Sequence, residues 1–180
     1  MLRLVYAVLI GLLGGGIAHI VIVFLVPGFS DNDAWSRLMA IADINRVVRI
    51  DTGAGTHPPV GPIDPLFSAA ACRFDLEDGA VHVQAKGAAP YWSASVYDRD
   101  GRNVYSFNDR TSATGAVDFI VLTPAQLVEV RKDLPEEFEQ SVFVEAPVDE
   151  GIVVVRIFVP DQSWKQLADR FFADMSCEPA

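Results

Sequence analysis

One eight-residue stretch holds the most ordered chemistry in this chain. In Tyr91-Trp92-Ser93-Ala94-Ser95-Val96-Tyr97-Asp98 large apolar and hydroxylated residues alternate. Read as a strand, it turns Trp92, Ala94 and Val96 to one side and Tyr91, Ser93, Ser95 and Tyr97 to the other. Aromatic rings supply flat area and hydroxyls supply directed hydrogen bonds, which is what a groove for a small molecule or saccharide needs. Asn108, Asp109 and Arg110 follow a turn and a return strand, and would add an amide, a carboxylate and a guanidinium beside that face. The same residues equally suit packing of Tyr and Ser against a second sheet, with Asp109-Arg110 in a turn.

Elsewhere the reactive types are scattered. The three histidines are His19, His57 and His82, with no H-x-x-x-H pair, so no metal site is expected. There is no G-x-S-x-G for a hydrolase elbow. The glycine clusters lack the strand–glycine–helix context of a phosphate cradle, so no cofactor is expected. Carboxylates such as Asp64, Asp75, Asp98, Asp109 and Asp118 could pair for acid–base work. With 24 acidic residues in the chain such a pairing carries little information. No catalytic residue is assigned. Arg156, a lone charge in an apolar run, should pair with a carboxylate across a sheet; the alternative is an anion site.

Charge narrows the partners. Fourteen basic against 24 acidic residues give a net charge of −10. Such a surface repels phosphate backbones, so no nucleic acid is expected. The two cysteines, Cys72 and Cys177, show no zinc spacing. In an exported domain they could form a disulfide; otherwise they are separate thiols.

Export is suggested by the first hydrophobic stretch. Leu4 to Val26 holds no Asp, Glu, Lys or Arg over 23 residues. At about 1.5 Å per residue such a helix crosses a hydrocarbon core of roughly 30 Å. The run exceeds a signal-peptide core and no A-x-A site closes it, which favours an uncleaved signal-anchor over a cleaved signal. Arg3 precedes it and Asp31 and Asp33 follow, so the rest of the chain should lie outside the cytoplasm. Gly11 and Gly15 form a G-x-x-x-G pair suited to close helix approach.

The exported chain then reads in order. A juxtamembrane helix, capped by Ser30 or Asp31 and carrying Trp35, Leu38, Met39 and Ala42 on one face, runs to about Ile44. Its apolar face could pack on the domain or rest at the membrane interface. Gly53 to Pro65 is a Gly/Pro-rich connection. Cys72-Phe74-Leu76 and Val81-Val83-Ala85 alternate across Glu77-Asp78-Gly79 as a hairpin. The Tyr91–Asp98 strand and Asn103–Phe107 form another, followed by a strand over Val117–Leu122. Thr123-Pro124 starts a helix burying Leu127 and Val128. Ser141–Ala146 and Ile152–Val159 are a final strand pair, the second apolar enough to be central and covered on both faces. Asp161 or Ser163 caps a last helix with Trp164, Leu167, Ala168, Phe171 and Phe172 as its stripe.

These elements predict a mainly β domain, an antiparallel jelly-roll-like β-sandwich with two or three peripheral helices, preceded by one transmembrane helix. The expected divisions are an anchor over 1–29, a juxtamembrane helix and connection over 30–63, and an extracytoplasmic β domain over 64–180.

The stretch from Asp64 to about Val159 resembles DUF1254, a family of unknown function. The resemblance is carried by Asp64-Pro65-Leu66, Cys72-Arg73-Phe74-Asp75-Leu76, the Tyr91–Asp98 strand, and Asn103-Val104-Tyr105-Ser106-Phe107-Asn108-Asp109-Arg110-Thr111. In longer members this module is followed by a second, DUF1214. The chain resembles a short, membrane-anchored form, which implies that a separate protein with a DUF1214-like module is the partner. The expected role is a single-pass inner-membrane protein whose periplasmic domain binds another envelope protein. The alternatives are binding of a small molecule or saccharide and, behind that, a carboxylate-dependent hydrolase.

Overall fold

Two kinds of sequence periodicity build two separate units. The computed structural model describes residues 1–25, 34–51, 64–87 and 89–180. In the first unit the uninterrupted apolar run forms helix α1, Leu2–Leu25, 24 residues. By length and composition it can cross a membrane. A Cβ built at Gly11 or Gly15 meets nothing within 4 Å.

The second unit begins with α2 (Ala34–Met39) and continues through β1 (Val47–Arg49), β2 (Phe67–Asp75), β3 (Val81–Ala85), β4 (Trp92–Asp98), β5 (Asn103–Asn108) and β6 (Val117–Leu122). Then come α3 (Pro124–Val130), β7 (Val142–Glu145), β8 (Glu150–Phe158), α4 (Lys165–Ala173) and β9 (Met175–Pro179). The strands make a five-stranded sheet ordered β1-β2-β8-β4-β5 and a four-stranded sheet ordered β7-β6-β3-β9. Their inner faces share one hydrophobic core. The domain is therefore the mainly β sandwich that the alternation predicts. The second sheet is mixed, because β6 and β7 run parallel.

The core follows from side-chain parity. Ala70, Cys72 and Phe74 of β2, Trp92, Ala94 and Val96 of β4, and Val153, Val155 and Ile157 of β8 all point inward and are buried. Val155 lies in register between Ala70 and Ala94. Phe119 and Phe107 meet edge-on at 5.0 Å between centroids, and the Trp92 indole donates from Nε1 to the Gly115 carbonyl at 2.8 Å. Strand β8 is central, as its apolar composition requires. Its outward Ile152 and Val154 are covered by Trp35, Leu38 and Ala42. Trp35 thus packs on the domain, under the Arg73 guanidinium at 4.7 Å.

Cys72 on β2 and Cys177 on β9 form a disulfide, their Cα atoms 6.5 Å apart. It joins one sheet to the other.

Several local expectations are corrected. β2 and β3 are not a hairpin, since they belong to different sheets. The Glu77–Gly79 link arches between layers, with Gly79 at φ 139°, and alternation looks the same for an arch as for a hairpin. β7 and β8 likewise separate into different sheets. Within the described residues the juxtamembrane helix spans only Ala34–Met39; the chain turns after it and Asn45 adopts φ 58°. The proposed caps Ser30 and Asp31, most of the Gly/Pro connection, and His57 lie outside the described residues. Val128 is exposed while Leu127 is buried, because one residue rotates about 100° around a helix. Thr123 and Gln126 form a capping box at the start of α3.

Candidate functional site

The open outer face of the five-stranded sheet is set by the same parity that fills the core. On β4, Ser93, Ser95 and Tyr97 point away from the buried Trp92, Ala94 and Val96. In register, Ser93 stands between Arg156 of β8 and Asn108 of β5. Ser95 stands between Val154 and Ser106, and Tyr97 between Ile152 and Asn103. The α2 segment covers Val154 and Ile152 toward β2. Asn103 and Ser106 remain exposed beyond β4.

Arg156 lies at the middle of this face. Its Nη1 donates to Ser95 Oγ and its Nη2 to the Tyr97 hydroxyl, both at 3.3 Å. Ser106 Oγ donates to Ser95 Oγ at 3.0 Å, and Asn103 Nδ2 donates to Ser106 Oγ at 2.8 Å. Burial pushes the Tyr97 phenol up, but hydrogen bonds with Arg156, Ser95 and Asn103 and the Arg156 charge pull it below its ordinary 10.0. The expected carboxylate partner of Arg156 is absent among the described residues, because its cross-strand neighbours are Ala69 and Ser93. Asn103 and Ser106 were missed by sequence reasoning: alternation along β5 places Ser106 on this face, but Asn103 reaches it only through the register shift between Val96 and Tyr97, which alternation does not reveal.

The other residues of the expected groove divide: Tyr91 and Asn108 stay in line with β4 and β5, and Asp109 and Arg110 leave for a turn. Tyr91 is 41% exposed just before β4. Asn108 faces Ser93, yet its Oδ1 accepts from the Arg110 amide at 3.1 Å and closes a turn. The Asp109 amide donates to the Trp92 carbonyl, and its Oδ1 is buried without a described partner. Arg110 is exposed in the turn. Asp109 and Arg110 make no described hydrogen bond to the Tyr-Ser face.

Three polar clusters elsewhere are structural in their geometry. His82 Nε2 and Ser141 Oγ both bond Asp118 Oδ1, at 2.9 and 2.7 Å. The serine bonds the carboxylate and not the imidazole, so this Ser-His-Asp set lacks the serine–histidine bond of a nucleophilic triad. It ties β3, β6 and the residue before β7. Arg49 makes a two-pronged bond to Asp51, at 2.8 Å on each arm, and reaches Asp169 of α4 at 2.9 Å. At one end of the sandwich Asp75, Glu77, Asp98, Asp100, Asp149 and Glu150 line an acidic cleft. There Arg102 holds Asp98 and Asp100, and Arg99 holds Glu150. Among the described residues no group of His, Cys, Asp or Glu could hold a metal ion.

Two of the carboxylates named above as able to pair, Asp98 and Asp109, lie far apart. Asp98 ends β4, whereas Asp109 bonds Trp92 at its start. Six residues of strand put them roughly 20 Å apart, beyond the reach of an acid–base pair. Burial pushes the Asp98 carboxyl up, but hydrogen bonds from the Arg102 backbone and side chain hold it below its ordinary range.

Comparison with known proteins places this architecture. The VPA0106 protein from Vibrio parahaemolyticus has a similar fold, with a TM-score of 0.56 at 15% identity over 86% of this chain and 36% of that one. An uncharacterised protein from Burkholderia cenocepacia aligns with a TM-score of 0.48 at 16% identity, over 82% of this chain and 40% of its own. The chain thus spans well under half the length of either. No functionally curated protein matches it. The model of DUF1254, a protein family of unknown function, matches residues 64–179. That match takes in every strand from β2 to β9 and the whole Arg156 face, and the chain belongs to the DUF1254 family.

Proposed function

We propose that this protein is a signal-anchored, single-pass protein of the inner membrane whose periplasmic sandwich recognises a second envelope protein through the outer face of its five-stranded sheet. The observation that carries this reading is the division of that face. One half is sealed by Trp35, Leu38 and Ala42, with Tyr97 at its border, and the other presents the partly exposed Ser93 and Arg156 and the exposed Tyr91. A helix fit to span a bilayer and a disulfide between the sheets support the extracytoplasmic side. The family's longer members supply the expected occupant, a protein with a DUF1214-like module.

The test is gentle-detergent purification of the tagged full-length protein from its native membrane, with mass spectrometry of what accompanies it. One stoichiometric companion is expected. It should be lost in Ser93→Arg, which blocks the open face, and kept in Glu178→Arg on the exposed part of β9. A lone protein, or a companion indifferent to Ser93→Arg, overturns the proposal.

A further inference from the structure

We infer that Arg156, with Ser93, Ser95 and Tyr97, forms a subsite for a carboxylate group. The inference rests on reading the outer face as a recognition surface, and it names the chemistry recognised there. Arg156 is partly buried on a central strand, with Ala69 and Ser93 as its cross-strand neighbours. A guanidinium so placed ordinarily has a carboxylate beside it. Here, among the described residues, it has two hydroxyls at 3.3 Å. N–H···O bonds run about 2.7–3.2 Å, so these contacts are long. A guanidinium carries five N–H donors, and two are engaged among the described residues.

The neighbours complete an acceptor's environment. Ser95 Oγ is held from behind by Ser106, which is held in turn by Asn103. That relay fixes the hydroxyl on which Arg156 rests. Ser93, opposite Arg156 in register, offers a further hydroxyl at the same level of the sheet. A planar fork flanked by hydroxyls fits the two oxygens of a carboxylate. The single cation, in a chain of 24 acidic and 14 basic residues, favours a monoanion over a phosphate dianion. The group could belong to a sugar acid or to a protein side chain, and the shared chemistry is the carboxylate.

The experiment uses full-length protein in detergent. Its melting temperature is followed against sodium glutarate and sodium glucuronate, with glucose and sodium chloride at matched ionic strength as controls. Both carboxylates should stabilise the wild type saturably, by about 2 °C or more, and the controls should not. Arg156→Gln should weaken the response about tenfold or more, while Arg110→Gln keeps it. A stronger response to glucuronate assigns the site to a sugar acid; equal responses assign it to a bare carboxylate such as a protein presents. If Arg156→Gln does not fold, the wild type still decides. A bound carboxylate draws Arg156 off Tyr97, so the phenol's ultraviolet titration should move up on adding glutarate, a change absent in Tyr97→Phe. No saturable response in the wild type, or an undiminished one in a folded Arg156→Gln, overturns the inference. A companion that depends on Ser93 but no carboxylate response would sink this inference alone and leave the proposed function standing.

Discussion

Cys72 and Cys177 join opposite layers of the sandwich across 105 residues of chain, with their Cα atoms 6.5 Å apart. Cys72 sits on an inner strand of one sheet and Cys177 on the last strand of the other. The bond therefore fastens β9, the final strand, to the early part of the domain. A loop of this length is credited with roughly 4–5 kcal/mol in the chain-entropy model. Replacing both cysteines with alanine should lower unfolding stability by about 2–5 kcal/mol, read as a fall in urea midpoint. Alkylation of protein taken from the native membrane should find both thiols blocked before reduction.

Arg49, Asp51 and Ser68 fix β1 against β2, and Arg49 also reaches α4 through Asp169. Burial pushes the Asp51 carboxyl up, but bonds from Arg49 and Ser68 hold it below its ordinary 3.8. A depressed folded value means this contribution is present above the unfolded value and fades as pH falls through the folded one. Asp51→Asn should cost about 2 kcal/mol at neutral pH, in line with a hydrogen bond to a charged group. The gap to wild type should close on acidification below pH 4, as seen in urea midpoints measured across pH.

Gly151, the second residue of β8, stands where there is no room for a side chain. A Cβ there would collide with the Phe74 ring and the Tyr97 carbonyl. Both are fixed, one in the core and one in the sheet ladder, so neither can give way cheaply. Gly151→Ala should destabilise the domain by about 2–3 kcal/mol, measured by thermal or urea unfolding. It should also loosen the backbone that carries Tyr97.

Gly11 and Gly15 stand one helical turn apart with open space where a Cβ would go. Such a pair allows a second helix to approach closely. Gly11→Ile with Gly15→Ile should leave membrane insertion intact and lower self-association of the anchor. A two-hybrid assay specific for membrane helices reads this directly.

Where alternation alone decided the outcome, the fold was legible. The two faces of β4, the central place of β8 and the cap of α3 all follow from residue parity or local side-chain bonding. Which strands pair was not legible. Phe74, Leu76, Val81 and Val83 alternate identically whether β2 turns back in its own sheet or arches to the other. Strands β1 and β9 were not foreseen, because Val47–Arg49 is short and Met175–Pro179 contains a proline and a glutamate. Edge positions tolerate both. At the candidate site, Tyr91, Ser93, Ser95 and Tyr97 were visible from spacing. Arg156, Asn103 and Ser106 join them only once the order β8-β4-β5 is known, and the same order removes Asp109 and Arg110 to a turn.

In the proposed function, the open half of the five-stranded sheet is the recognition surface. It is tested most directly by placing a photo-crosslinking amino acid at Tyr91 or Ser93 in the full-length protein and irradiating intact cells. A discrete adduct from these positions, and none from Glu178 on the other sheet, is the predicted result. No adduct from either face, or the same adducts from both, would contradict it.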